Sequence, residues 1–150
     1  MADIKSREAR SRNMAAIRNK DTKPEVYLRK LLFSQGYRYR KNVSYVYGHP
    51  DIYMAKYQTA LFVNGCFWHR HKDCKYAYKP KTRIEFWQKK FASNLRRDSD
   101  VRNRLLNENI KCIIVWECSI KKMQKDEAFK RECLSSIGAF LKDTSLYIEI

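Results

Sequence analysis

Apolar positions along this chain change period from helical to alternating and back, and each change marks an element. In "DTKPEVYLRKLLFSQG", Leu28, Leu31, Leu32 and Gln35 fall at helical spacing. Thr22 followed by Glu25 makes a capping-box pattern, Pro24 suits a first turn, and Gly36 suits a stop, so a helix is predicted here. Upstream, a basic segment over roughly residues 7–20 has a thin apolar face, Met14 and Ile17, which reads as a short helix that folds onto a partner instead of the core. "YRYRKN" alternates as a strand does, and "HPDIYMAKYQTALFVNG" reads as two strands, about 51–56 and 59–64, joined by a tight turn. From about Ile84, the residues Trp87, Phe91 and Leu95 recur every four positions and continue to Val101 and Leu105, predicting a long helix. "IKCIIVWEC", residues 110–118, is short and almost wholly apolar, the profile of a strand buried on both faces. A last helix, about 126–142, carries Phe129, Cys133, Ile137 and Phe140 on one face. The order helix, strands, helix, strand, helix predicts an α/β fold with a mixed sheet between helices.

Length and composition narrow this further. At 150 residues a single domain, 1–150, is expected, with residues 1–20 as a basic arm. No apolar run approaches the ~20 residues that cross a bilayer. "MADIKSREARSRNM" lacks the apolar stretch of a secretory signal, so the cytosol is the expected location.

The charge is +16 and uneven. Residues 1–50 hold twelve Lys/Arg against four Asp/Glu, and residues 70–104 hold the same numbers. The pieces 51–69 and 105–150 are neutral. All the excess therefore flanks the segment from Asp51 to His69, and a polyanion held by both basic blocks is drawn across it. Nucleic acid is the expected partner, and no membrane.

Five cysteines without a secretion signal argue for metal binding or burial rather than a disulfide framework. Cys66, His71 and Cys74 form C-x4-H-x2-C within the loop "GCFWHRHKDC", and Cys118, at the end of the buried strand, supplies a fourth donor. A closed Cys3His structural zinc site is expected, with Cys112 and Cys133 in the core. His69 is then spare: a further ligand, a general base, or an incidental polar residue, and composition does not choose. Asp51 heads a strand between the basic blocks, where a carboxylate suits a hard cation over a phosphate, though a Pro-Asp pair is also a common turn.

The motifs "RSRNMAAI", "DTKPE", "GHPD", "GCFWH", "TRIEFW" and "VWEC" occur in that order from about residue 10 to 118, and together the chain resembles the very-short-patch (VSP) mismatch repair endonuclease family, that is, it is Vsr-like. The resemblance implies a restriction-endonuclease-like, PD-(D/E)XK-related three-layer core. It implies a Mg2+-dependent enzyme that nicks one DNA strand on the 5′ side of the thymine in a T·G mismatch left by deamination of 5-methylcytosine. Carried over by position, Asp51 is the main Mg2+ ligand with the backbone carbonyl of Val63. Glu25 orients metal-bound water, His69 is the base or proton shuttle, and Asp98 is its hydrogen-bonded partner. Cys66, His71, Cys74 and Cys118 are the zinc ligands. Phe67, Trp68 and Trp87 form an aromatic wedge beside the mismatch, while Met14 and Ile17 press from the opposite groove next to Arg10 and Arg12. On pattern alone, Trp87 reads equally as core, Asp98 as a partner of Arg96 or Arg97, and Glu25 as a cap. A monomer suffices for a nick at an asymmetric lesion, and mismatch-repair scaffold proteins are possible partners.

The chain departs at Asn64 from the family member it is most readily compared with, which has a histidine there. Asparagine still hydrogen-bonds a phosphate or water but does not shuttle protons. It is also one residue longer in the zinc loop, at Lys72-Asp73. Two alternatives follow: a zinc-stabilised mismatch-binding module without cleavage, and a related-fold nuclease that cuts matched duplex.

Overall fold

The computed structural model describes residues 21–150. The predicted arm, with Arg10, Arg12, Met14 and Ile17, lies outside the described residues. Helix α1 spans Lys23–Ser34. Thr22 caps it, its Oγ1 accepting the Glu25 N–H at 3.4 Å, and Pro24 occupies the first turn. At its other end the Tyr37 N–H reaches the Leu32 carbonyl and the Gly36 N–H the Phe33 carbonyl, a Schellman pair. That geometry needs a left-handed residue, and Gly36 has φ 90°.

The sheet has five strands in the order β1 (Arg40–Lys41), β2 (Ile52–Met54), β3 (Thr59–Asn64), β4 (Lys111–Trp116) and β5 (Tyr147–Glu149). The first three run antiparallel; β3, β4 and β5 run parallel, so the sheet is mixed. Helix α2 (Ile84–Asn107) connects β3 to β4. Helices α3 (Glu117–Met123) and α4 (Glu127–Lys142) connect β4 to β5.

Alternation along the central strands sorts side chains to two faces. Leu61, Ile113 and Val115 join Leu28 and Leu32 of α1, Ile120 and Met123 of α3, and Ile137 of α4 in the larger core. Ala60 and Cys112 turn the other way, onto Leu105 of α2 with Phe62 and Ile114. Helices thus cover both faces in three layers. Each fully buried aliphatic side chain contributes about 1.5–3 kcal/mol to holding them together. No helix among the described residues is long and apolar enough to cross a membrane.

Several elements differ from expectation. The strand predicted at "YRYRKN" shrinks to Arg40–Lys41. The strand predicted over 51–56 stops at Met54, because Ala55–Tyr57 winds into a 3-10 turn closed by left-handed Gln58. Cys118 does not end a strand: β4 stops at Trp116, and Cys118 lies in the first turn of α3, a helix the apolar run had concealed. Strand β5 carried no recognised signal, since its three residues show no clear alternation. On α2 only Leu105 is buried, and Leu95 is half exposed, so the four-residue spacing does not make a fully covered face.

Loop 42–51 and α2 face each other across the open end of β3. The Tyr47 hydroxyl donates to Asp100 at 2.7 Å and the Arg104 guanidinium lies over the Tyr47 ring at 4.1 Å, tying loop to helix. Gly48 has φ 84°, and a Cβ there would overlap the Val101 side chain. Only glycine meets both conditions.

Candidate active site and metal cluster

A cleft of about 570 Å³ opens between loop 42–51, the start of α1, the ends of β3 and β4, and the middle of α2. It brings Glu25, Asp51, Asn64, His69 and Asp98 to one site. Asp51 sits just before β2 and its Oδ2 accepts the Val63 N–H from β3 at 2.7 Å. Burial, reinforced by the nearby Glu25 charge, pushes its carboxyl up to about 7, against the opposing pull of the Val63 hydrogen bond, His69 and Arg29. Glu25 is buried too, and burial raises it in turn. Its Oε2 accepts the Asp21 N–H at 3.0 Å, one residue upstream of the amide a capping box would use. Glu25 is therefore both a helix-start residue and a cleft residue.

A buried and a half-buried carboxyl that resist ionising together form a donor set that a divalent cation would neutralise, so the residues present fit a hard metal ion. His69 lies opposite. Its Nδ1 is 2.7 Å from Asp98 Oδ2 on α2. With the Nδ1–H donating to that carboxylate, Nε2 is the ring nitrogen turned to the cleft as acceptor. The loop is held behind it by the Asn94 side chain, which donates to the Trp68 carbonyl at 2.9 Å.

On the far side of the same loop, donor atoms of Cys66, His71, Cys74 and Cys118 all lie within 4.8 Å of one another. A tetrahedral ion with metal–sulfur bonds of about 2.3 Å puts neighbouring sulfurs about 3.8 Å apart, so the four atoms need little adjustment to close round one cation. His71 Nδ1 is 3.4 Å from Cys118 Sγ, and the Cys118 N–H donates to Cys66 Sγ at 3.4 Å. Burial pushes the Cys66 thiol up to about 12 and also lowers His71, whose neutral imidazole is the ligating form. The His71 ring stacks on Trp116 at 4.1 Å and 5°. Cys112 and Cys133 are buried elsewhere.

Phe67, Trp68 and Trp87 are in mutual contact, with ring centroids 5.3 to 5.7 Å apart. Phe91 and Tyr78 extend the group. The Arg70 guanidinium lies 3.9 Å above Phe91 while donating to the Phe67, Ala77 and Tyr78 carbonyls, which stiffens the loop under the rings. Trp87 is half-buried, neither core nor free. The exposed rim is Tyr78, Ile84 and Phe86, which the sequence reading did not single out.

His49, Arg97 and Arg102 also line the cleft and were missed. For His49 the signal was present in "GHPD", two residues before Asp51. For the arginines the pattern offered only one basic helix among many.

A mixed sheet covered on both faces, with buried carboxyls and a histidine at its mouth and a sulfur-rich cluster beside them, defines a restriction-endonuclease-like protein. A family model described as DNA mismatch endonuclease Vsr matches residues 2–76. The chain is 42% identical over 143 residues to type II nicking enzyme V.NmeAIP of Neisseria meningitidis, covering 95% of this chain and 99% of that one. It is 39% identical over 130 residues to DNA mismatch endonuclease Vsr of Escherichia coli K12, covering 85% and 83%. To type II nicking enzyme V.XorIIP of Xanthomonas oryzae it is 37% identical over 134 residues, covering 89% and 98%. The chain belongs to the Vsr family of DNA endonucleases.

Proposed function

We propose that this protein nicks one strand of duplex DNA on the 5′ side of the thymine in a T·G mismatch, the first step of very-short-patch repair. The observation that carries the reading is the convergence of Asp51, Glu25, His69 and Asp98 on one cleft beside an aromatic cluster. The names of the relatives, which describe a mismatch endonuclease and nicking enzymes, support it.

Asp51 would hold Mg2+ with the Val63 carbonyl, and Glu25 would orient water beside the ion. In an extended strand the amide and carbonyl of one residue face the same edge, and the Val63 amide already points at Asp51. Bound there, the ion supplies Lewis-acid polarisation of the scissile phosphate and charge neutralisation. His69 Nε2 takes the proton of the attacking water, and Asp98 stabilises the resulting imidazolium. Asn64, buried at the end of β3, orients water or phosphate by hydrogen bonding and moves no proton. Arg97 and Arg102 place positive charge along the cleft for the backbone phosphates.

Cys66, His71, Cys74 and Cys118 would hold a structural Zn2+, which anchors the loop carrying Phe67, Trp68 and His69. The rings would enter the base stack at the lesion, where unstacking costs least. Residues 1–150 would act as one cytoplasmic endonuclease domain, a monomer, with the basic arm completing the DNA grip.

Asn64 favours one rival, a mismatch-binding module without cleavage. End-labelled matched and T·G duplexes, incubated with parent and Asp51→Ala protein with and without Mg2+, separate the two. A single-strand nick at the mismatch, lost in Asp51→Ala and without Mg2+, is expected. Binding without a nick supports the rival, and cutting of matched duplex refutes the mismatch specificity.

A further inference from the structure

Asp21, Arg29 and Asn42 form a polar cluster at the start of α1 that none of the roles above uses. The Asp21 Oδ1 accepts from Arg29 Nη1 at 2.9 Å and from Asn42 Nδ2 at 3.0 Å. The Asp21 backbone N–H holds Glu25 Oε2, also at 3.0 Å. The Asn42 backbone N–H donates to the Asp51 carbonyl at 3.0 Å, and the Tyr39 hydroxyl, just before β1, donates to the Arg29 carbonyl at 3.2 Å. Arg29 is buried, with 7% of its surface exposed. Asp21 thus reaches the Glu25 carboxylate through its amide and the backbone of Asp51 through Asn42.

Both junctions use left-handed backbone, φ 54° at Asp21 and 49° at Asn42. Asp and Asn tolerate that region better than most residues but still at some cost. The conformation turns the Asp21 amide onto Glu25 while its carboxylate faces away, toward Arg29. The Arg29 guanidinium also favours ionisation of both Glu25 and Asp51.

We infer that Asp21, Arg29 and Asn42 are a positioning clamp which sets the relative placement of Glu25 and Asp51 and so tunes the affinity of the cleft for a divalent cation. This rests on the functional reading above. The carboxylates sit on different elements, the start of α1 and the head of β2, and no direct hydrogen bond joins them. Without the clamp each element carries its own carboxylate independently, and a rigid ion finds its donors less well placed.

Mn2+ is the probe, its binding to the purified full chain read by loss of the free-ion EPR signal. Asp21→Gly removes the hub carboxylate while keeping the backbone turn and the amide to Glu25. Its half-saturating Mn2+ concentration is expected to rise about tenfold, equivalent to about 1.4 kcal/mol. Asp21→Asn, which retains an oxygen acceptor for both neighbours, is expected to recover most of the affinity. A folded Asp21→Gly protein that binds Mn2+ like the parent overturns the clamp, whatever its melting temperature. Should Asp21→Gly fail to fold, Asn42→Gly breaks the other link and carries the same expectation and the same refutation. A parent that binds no more Mn2+ than Asp51→Asn would sink the functional reading itself, which keeps the two failures distinct.

Discussion

Asp51→Asn abolishes nicking on the proposed mechanism, and the burial of Asp51 makes a second prediction that runs the other way: the variant is more stable than the parent in neutral, metal-free buffer. The Asp51 carboxyl is pushed from 3.8 to about 7, chiefly by burial. A carboxyl whose folded pKa exceeds its unfolded one binds its proton more tightly in the fold. The stability it contributes is present below the unfolded value and drains as pH rises through the folded value. Here the window runs from about pH 4 to about pH 7, at about 1.4 kcal/mol per unit. Between pH 5 and pH 7 the parent therefore loses roughly 3 kcal/mol that Asp51→Asn retains. Asparagine keeps an oxygen for the Val63 N–H and has no charge to bury. For a chain of this length 1 kcal/mol moves the melting temperature by about 2–4 °C. Thermal unfolding with EDTA-free, divalent-free buffer at pH 5 and pH 8 checks it: the gap in favour of the variant widens by about 6–12 °C at the higher pH. Excess Mg2+ then narrows the gap by stabilising the parent alone. A gap that is the same at both pH values, or that favours the parent at pH 8, refutes the burial argument.

Further outcomes follow from other parts of the site. Cys118→Ser removes one donor from the cluster of four and is expected to lower bound zinc, measured by atomic absorption, together with the melting temperature, whereas Cys133→Ala loses only packing and keeps its zinc. His69→Ala is expected to slow nicking by about 100- to 10,000-fold, and Asp98→Asn by less, because the second keeps the ring in place and weakens only its basicity. Single-turnover rates on a T·G duplex compare them; equal losses would mean that Asp98 does more than support the ring. Gly48→Ala combines left-handed strain with overlap on Val101 and is expected to cost about 2–4 kcal/mol in urea unfolding, while Gly36→Ala, with open space around it, costs about 1 kcal/mol.

Local signals in the chain determined a good deal. The start and stop of α1 follow from Thr22, Pro24 and Gly36, because caps and left-handed positions act within a few residues. The burial of β4 followed from an apolar run too short for a helix and unrelieved by polar residues, as a strand covered on both faces must be. The cluster of Cys66, His71, Cys74 and Cys118 was legible because three of its members share one short loop, and the family motifs preserved the order of the rest. Tertiary structure alone decided what depends on long-range closure. That Cys118 meets Cys66 through the first turn of α3, that half-buried Trp87 leans on Phe67, and that Asp98 rather than a neighbouring charge reaches His69 are all contacts across 20 or more residues of sequence. The clamp of Asp21, Arg29 and Asn42 is of the same kind. Its residues look like an ordinary turn acid, a helix-surface arginine and a loop asparagine until the fold buries Arg29, whose guanidinium must then find a partner and finds it in Asp21.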